Sequence, residues 1–208
     1  MFTNMRVHTL GLLAAATLAV GAAADENRLF ILQDSTQGSG LGNTLFVDQS
    51  LATGSTISGQ INSDTAAVQA GGGNSATINV ANTGGQVALN QTTLGTGAGN
   101  SGDINITGLS GVGVLTQLGL NNVGDIDVTG AGASALLEQL GDGNIGAVTV
   151  SGRNATGELR QNGNNNDTSL DVSGAGTTVI LTQTGNNIVA APTVVSNGGS
   201  VIINQTSP

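Results

Sequence analysis

Glutamine recurs along this chain at a fixed interval. Gln117, Gln139, Gln161, Gln183 and Gln205 follow one another 22 residues apart. Gln69 and Gln91 continue the series backwards at the same interval. Four extra residues, in the Gly-rich stretch 94–99, separate Gln91 from Gln117, and a longer insertion around Leu51 to Asn62 separates Gln33 from Gln69. A period of this length marks a repeat architecture. One unit cannot bury its apolar face alone, so neighbouring units must stack.

Each unit reads h-x-Q-x-G-x-x-N-x-x-x-h-x-h-[ST]-G. The apolar residue two places before Gln is Ile31, Ala67, Leu89, Leu115, Leu137, Leu159, Leu181 and Ile203 in turn. Asn43, Asn74, Asn100, Asn122, Asn144 and Asn166 follow, usually five places after Gln; the Gln183 unit has Ile188 there. Four places beyond come Val47, Ile78, Ile104, Ile126, Val148 and Leu170, and then Pro192, which breaks the column. Six places beyond come Gln49, Val80, Ile106, Val128, Val150, Val172 and Val194. Alternation of period two is the mark of half-buried strands. The G-x-x-N and [ST]-G segments are turn chemistry. Frequent Gly and Asn with regular β-branched residues argue against helix.

The expected fold class is therefore all-β: a β-solenoid of stacked strand-turn-strand units, with eight first strands and seven second strands. A lone hairpin-sized unit has no independent stability. Stacked at roughly 4.8 Å, eight rungs make a rod on the order of 35 to 40 Å long. Gln and Asn share the inward parity of the apolar columns. Buried carboxamides are costly unless paired, and in a stack each can bond to its equivalent one rung away, as in cross-β ladders. Such columns also fix register.

The first 24 residues read differently. Arg6 precedes an apolar run, Leu10 to Val20, too short to span a bilayer, and Ala22-x-Ala24 supplies a cleavage motif. Residues 1–24 are expected to be a secretory signal peptide, with 25–208 a single solenoid of about seven and a half repeats and no membrane span. Past residue 24 the chain has no Cys, His, Lys, Met, Trp or Tyr, and only three Arg against 13 acids. That composition excludes disulfides, Cys or His metal sites, Ser-His-Asp and Cys-His nucleophile systems and lysine chemistry. It supplies neither a basic track nor stacking platforms for nucleic acid. No enzyme activity, cofactor or metal is expected. The aspartates Asp103, Asp125, Asp127 and Asp171 fall on outward positions of second strands, where stacked like charges act as gatekeepers against premature pairing. Glu138 and Arg160 occupy equivalent positions one rung apart and are expected to form an exposed cross-strand pair.

The Q-x-G-x-x-N unit after an alternating strand resembles the curlin repeat of bacterial functional amyloid. It occurs at Gln69 to Asn74, Gln117 to Asn122, Gln139 to Asn144 and Gln161 to Asn166, and Asn43 to Gln49 keeps a curlin-like N-x5-Q. Two departures stand out. The second Gln is Val or Ile in every other unit, and the leading Ser is mostly Gly or Ala, as at Ala133 and Ala155. The resemblance implies secretion through the outer membrane and polymerisation into extracellular biofilm fibres. The partners it implies are further copies of the chain and curli-type secretion and nucleation proteins. The expected function is a self-assembling fibre subunit. The alternatives are a fibre nucleator or minor subunit, a monomeric solenoid adhesin, and a β-helical polysaccharide-degrading enzyme. The last would need acids clustered with Lys or Arg, which three scattered Arg do not build. A solenoid also ends in rows of unpaired N–H and C=O groups, and a half-unit ending at Gln205 is expected to dock head to tail, an open contact that does not close.

Overall fold

The computed structural model describes residues 6–10, 15–19, 26–35 and 41–207, with side chains from residue 26 onward. The strands follow in chain order: β1 (Arg6–Leu10), β2 (Ala15–Ala19), β3 (Arg28–Asp34), β4 (Thr44–Asp48), β5 (Thr56–Ser58), β6 (Ala67–Ala70), β7 (Ser75–Val80), β8 (Gln86–Thr92), β9 (Ser101–Ile106) and β10 (Val112–Leu118). They continue with β11 (Val123–Val128), β12 (Ser134–Leu140), β13 (Ile145–Val150), β14 (Thr156–Asn162), β15 (Asp167–Ser173), β16 (Thr177–Thr184), β17 (Val189–Ala190), β18 (Thr193–Val195) and β19 (Gly199–Thr206). The described residues contain no helix, and so none long and apolar enough to cross a membrane.

The chain alternates between two parallel sheets. The first runs β1-β3-β5-β8-β10-β12-β14-β16-β19, with β6 sharing the level of β5; the second runs β2-β4-β7-β9-β11-β13-β15-β17, with β18 sharing the level of β17. Every pairing is parallel, and the register matches the repeat: Leu115 lies beside Leu137 and Gln117 beside Gln139, and Ile126 lies beside Val148. This is the β-solenoid that the 22-residue spacing predicts. From residue 28 on, it has eight levels in the first sheet and seven in the second.

Parity places the core. In β12 the odd residues Ala135, Leu137 and Gln139 are buried and the even ones face outward. Leu89, Leu115, Leu137, Leu159 and Leu181 from one sheet meet Ile78, Ile104, Ile126, Val148 and Leu170 from the other, all at most 1% exposed. Burying such a side chain contributes roughly 1.5 to 3 kcal/mol, and the columns form one continuous cluster along the rod.

Three local features lie outside the simple repeat. Residues 59–66 loop out within a strand, so β5 and β6 together hold one strand's place: Thr56 to Ser58 pair with Gln86 to Ala88, and Val68 to Ala70 with Asn90 to Thr92. The insertion thus sits inside the strand as well as in the turn before it. Pro192, having no N–H to donate, divides the last strand of the second sheet into β17 and β18. Finally, the segments assigned from sequence to a leader carry β1 and β2, which lie in parallel register on β3 and β4. The Ala22-x-Ala24 motif lies outside the described residues.

Candidate functional site

The Gln and Asn columns run as two unbroken chains of hydrogen bonds through the interior. Gln33 Nε2 donates to Gln69 Oε1 at 2.6 Å, Gln69 to Gln91 at 2.8 Å, Gln91 to Gln117 at 2.7 Å and Gln117 to Gln139 at 2.8 Å. Gln139 then donates to Gln161 at 2.9 Å, Gln161 to Gln183 at 3.2 Å and Gln183 to Gln205 at 2.9 Å. All but Gln205 are buried. The same nitrogens also reach across to the second sheet. Gln117 Nε2 donates to Ser101 O at 2.9 Å and Gln161 Nε2 to Ile145 O at 2.9 Å. A carbonyl can only accept, so this second bond fixes which amide atom is nitrogen. The donors of the Gln column therefore all point toward the β19 end.

The Asn column runs the other way. Asn122 donates from its backbone N–H to Asn100 Oδ1 at 3.1 Å and from Nδ2 to the same oxygen at 3.0 Å. Asn144 does the same to Asn122 and Asn166 to Asn144, at 3.0 to 3.1 Å. Asn74 donates to Asn43 and Asn100 to Asn74 in the same sense. Each Nδ2 also reaches a neighbouring turn, as from Asn122 to Gly141 O at 2.8 Å. The Ile188 N–H donates to Asn166 Oδ1 at 2.9 Å and closes the column, since a backbone amide suffices where the side chain is apolar.

The glycine in Q-x-G has a steric cause. At Gly119, φ is +125°, and a Cβ would sit 2.1 Å from Gly141 O, so the turns stack backbone on backbone. A second glycine column, Gly102, Gly124 and Gly146, lies inside the strands of the second sheet. A Cβ on Gly124 would meet Leu115 Cδ1 at 2.8 Å and Gln117 Nε2 at 3.0 Å. Those places are empty of side chain because the leucine and carboxamide of the opposite sheet fill them.

Three polar arrangements were not visible in the repeat pattern. At the β3 end, Asn27 Nδ2 donates to Gln49 O and Ala52 O, while Ser55 donates to Asn27 Oδ1 and Gln49 Nε2 donates to Ser55 Oγ at 2.7 Å. This network satisfies Gln49, the one polar residue in the valine column. Along the turns, Asp142, Asn164, Asn186 and Ser207 each accept, through a side-chain oxygen, a backbone N–H from the turn before, at 2.8 Å. Their interval of 22 to 21 residues was the available sign. On the outer face of the second sheet, Asn79 donates to Asn105 and Asn105 to Asp127.

The four aspartates face outward, as their parity predicts. Asp103 and Asp125 are adjacent in one column, and Asp127 and Asp171 stand in the next. Partial burial, then the charges of Asp103 and Asp127, raise the Asp125 carboxyl above the ordinary Asp value. Arg160 Nη1 lies 3.0 Å from Glu138 Oε2, giving the expected pair, and Arg160 Nε also binds Glu158. No family model matches the chain, and neither a curated protein nor a solved structure is found similar to it.

Proposed function

We propose that the chain is a structural subunit that polymerises, after export, into extracellular curli-like fibres of a biofilm matrix or cell surface, served by secretion and nucleation proteins of the curli type. The observation that carries this reading is the Gln column running out to an edge strand. Gln205 accepts from Gln183, and among the described residues its own Nε2 has no acceptor. Among the described residues, β19 pairs only with β16. It is eight residues long and carries neither charge nor Pro, whereas protected edges are short, charged or broken. At the opposite end, β1 and β2 lie on β3 and β4. That end therefore has the geometry to take further parallel strands, and removal of residues 1–24 would free it for another copy. The stacked aspartates delay pairing until export.

The test is direct. Purified residues 25–208 should form filaments that bind a thioflavin-type dye and diffract with a meridional spacing of about 4.8 Å. A chain that stays monomeric at high concentration overturns the proposal.

A further inference from the structure

The glycine column of the second sheet does not stay glycine along the rod. Its full register reads Leu45, Ala76, Gly102, Gly124, Gly146, Thr168 and Ala190. Each position faces one rung of the Gln ladder across the core. A Cβ on Gly146 would stand 2.8 Å from Leu137 Cδ1, 2.9 Å from Gln161 Oε1 and 3.0 Å from Gln139 Nε2. One level on, the same offset sets Thr168 against Leu159, Leu181 and the Gln161–Gln183 rung.

Three observations mark that rung as disturbed. Gln161 Nε2 and Gln183 Oε1 are 3.2 Å apart, whereas the other rungs measure 2.6 to 2.9 Å. Gln69, Gln91, Gln117, Gln139 and Gln161 also donate across the core, to Thr44 O, Ser75 O, Ser101 O, Val123 O and Ile145 O. Asp167 O is next in that series, but among the described residues Gln183 Nε2 donates to Gln205 alone. Finally, Thr168 is 2% exposed, and among the described residues its Oγ1 is the one buried side-chain polar atom without a hydrogen-bond partner. Leaving such a group unpaired is costly. Leu45 is larger still and does no such harm. There the first sheet has Ala67 where later levels have leucine, and the Gln33–Gln69 rung is 2.6 Å. Thr168 has leucine on both facing levels.

The other ties at this boundary are weak as well. The Asn column passes from Asn166 to the Ile188 N–H without a side-chain rung. β15 meets the next level only through the short β17 and β18, on either side of Pro192.

We infer that Thr168 is a wedge that makes a fault in the solenoid, across which residues 177–207 open and close as one unit while the levels before them stay folded. The two states end in different edges. Closed, the first sheet ends in β19, which carries neither charge nor Pro. Open, the last strands are β14 and β15, which carry Glu158, Arg160, Asp167 and Asp171, and charged edges resist pairing. The fault exists whether or not the chain polymerises.

The experiment is native-state hydrogen exchange on the full chain, which resolves cooperative openings segment by segment. In the wild type, β16 and β19 should share one opening, more frequent than that of β14. Exchange of β16 together with β14 instead of β19 would be plain fraying of an edge strand and overturns the inference. Glycine ordinarily weakens a strand, yet Thr168→Gly should slow exchange across 177–207 roughly tenfold, the scale on which an overpacked core is relieved, and leave 112–150 unchanged. A Thr168→Gly chain that exchanges no more slowly there, or that loses the wild-type far-UV spectrum, overturns it too. Thr168→Val keeps the bulk and removes the hydroxyl, so it should slow exchange by less. Slowing equal to that of Thr168→Gly would assign the effect to the unpaired hydroxyl and overturn the wedge.

Discussion

The levels from Gln117 to Gln183 and those from Gln33 to Gln91 build the same core by different means. In the former the 22-residue interval never varies, and the column positions repeat their residue types until the Gln183 level, where Ile188 and Pro192 depart. In the latter a loop of residues 59–66 interrupts a strand, Gln49 stands where valine stands elsewhere, and Asn27 and Ser55 are recruited to satisfy it. Yet the Gln69–Gln91 and Gln91–Gln117 bonds, at 2.8 and 2.7 Å, are as short as any in the regular part. Repeat length is thus not what fixes the stack. The interior columns are, and added residues are expelled between column positions.

The largest effect that can break this comparison is the loss of an amide from the regular part. Gln139→Leu leaves Gln117 Nε2 without its ladder acceptor and Gln161 Oε1 without its ladder donor. At about 1 to 3 kcal/mol for each unsatisfied buried group, we expect a loss of roughly 2 to 6 kcal/mol in urea denaturation. Gln33→Leu at the irregular end breaks, among the described residues, one ladder bond, to Gln69, and should cost roughly half as much. Equal losses at the two positions would contradict the role given to the columns.

A smaller effect tests the steric half of the argument. Gly124→Ala pushes a methyl group into Leu115 and Gln117 and should cost about 1 to 3 kcal/mol, as overpacking does. Shortening the 59–66 loop, which holds no column position, should change the denaturation midpoint by far less.

The smallest expected effect distinguishes the two regions by pH. Asp125, in the regular part, has its carboxyl raised by burial and by Asp103 and Asp127. Its ionised form is disfavoured in the folded chain, so its contribution to stability rises as the pH falls toward the ordinary value of 3.8. Asp48, in β4, has its carboxyl lowered by hydrogen bonds from the Ser50 hydroxyl and N–H. Its contribution is complete above 3.8 and is lost as the pH falls below it. Asp125→Asn should remove a gain on acidification and Asp48→Asn a loss. Same-sign changes in melting temperature between pH 6 and pH 3, chosen to bracket the range where Asp titrates, would refute the assignment.

Much of this fold was legible because a stacked repeat writes its contacts into the sequence at one interval. The columns of Gln117, Asn122, Leu115, Ile126 and Val128 were read by counting, and their parity gave the buried face. What escaped was whatever lacked an equivalent or had a more common explanation. Asn27 and Ser55 occur once, so no column announced them. Gly124 falls at an unspecified position of the unit, and its role shows only when the opposite Leu115 is in place. Asp142, Asn164 and Asn186 lie in turns, where polar residues are unremarkable one at a time. Counting places an insertion around Leu51 to Asn62 but does not show that residues 59–66 loop out inside a strand, because β5 and β6 are each too short to be recognised alone.

The opposed directions of the two amide columns have an electrical consequence. Carboxamides aligned head to tail add their dipoles, as peptide groups do along a helix, and a single such column would leave a partial charge of fixed sign at each end. Here the Gln dipoles point one way along the rod and the Asn dipoles the other. At each tip the two columns therefore present partial charges of opposite sign, and a rod extended by further levels keeps tips less polarised than a single column would leave.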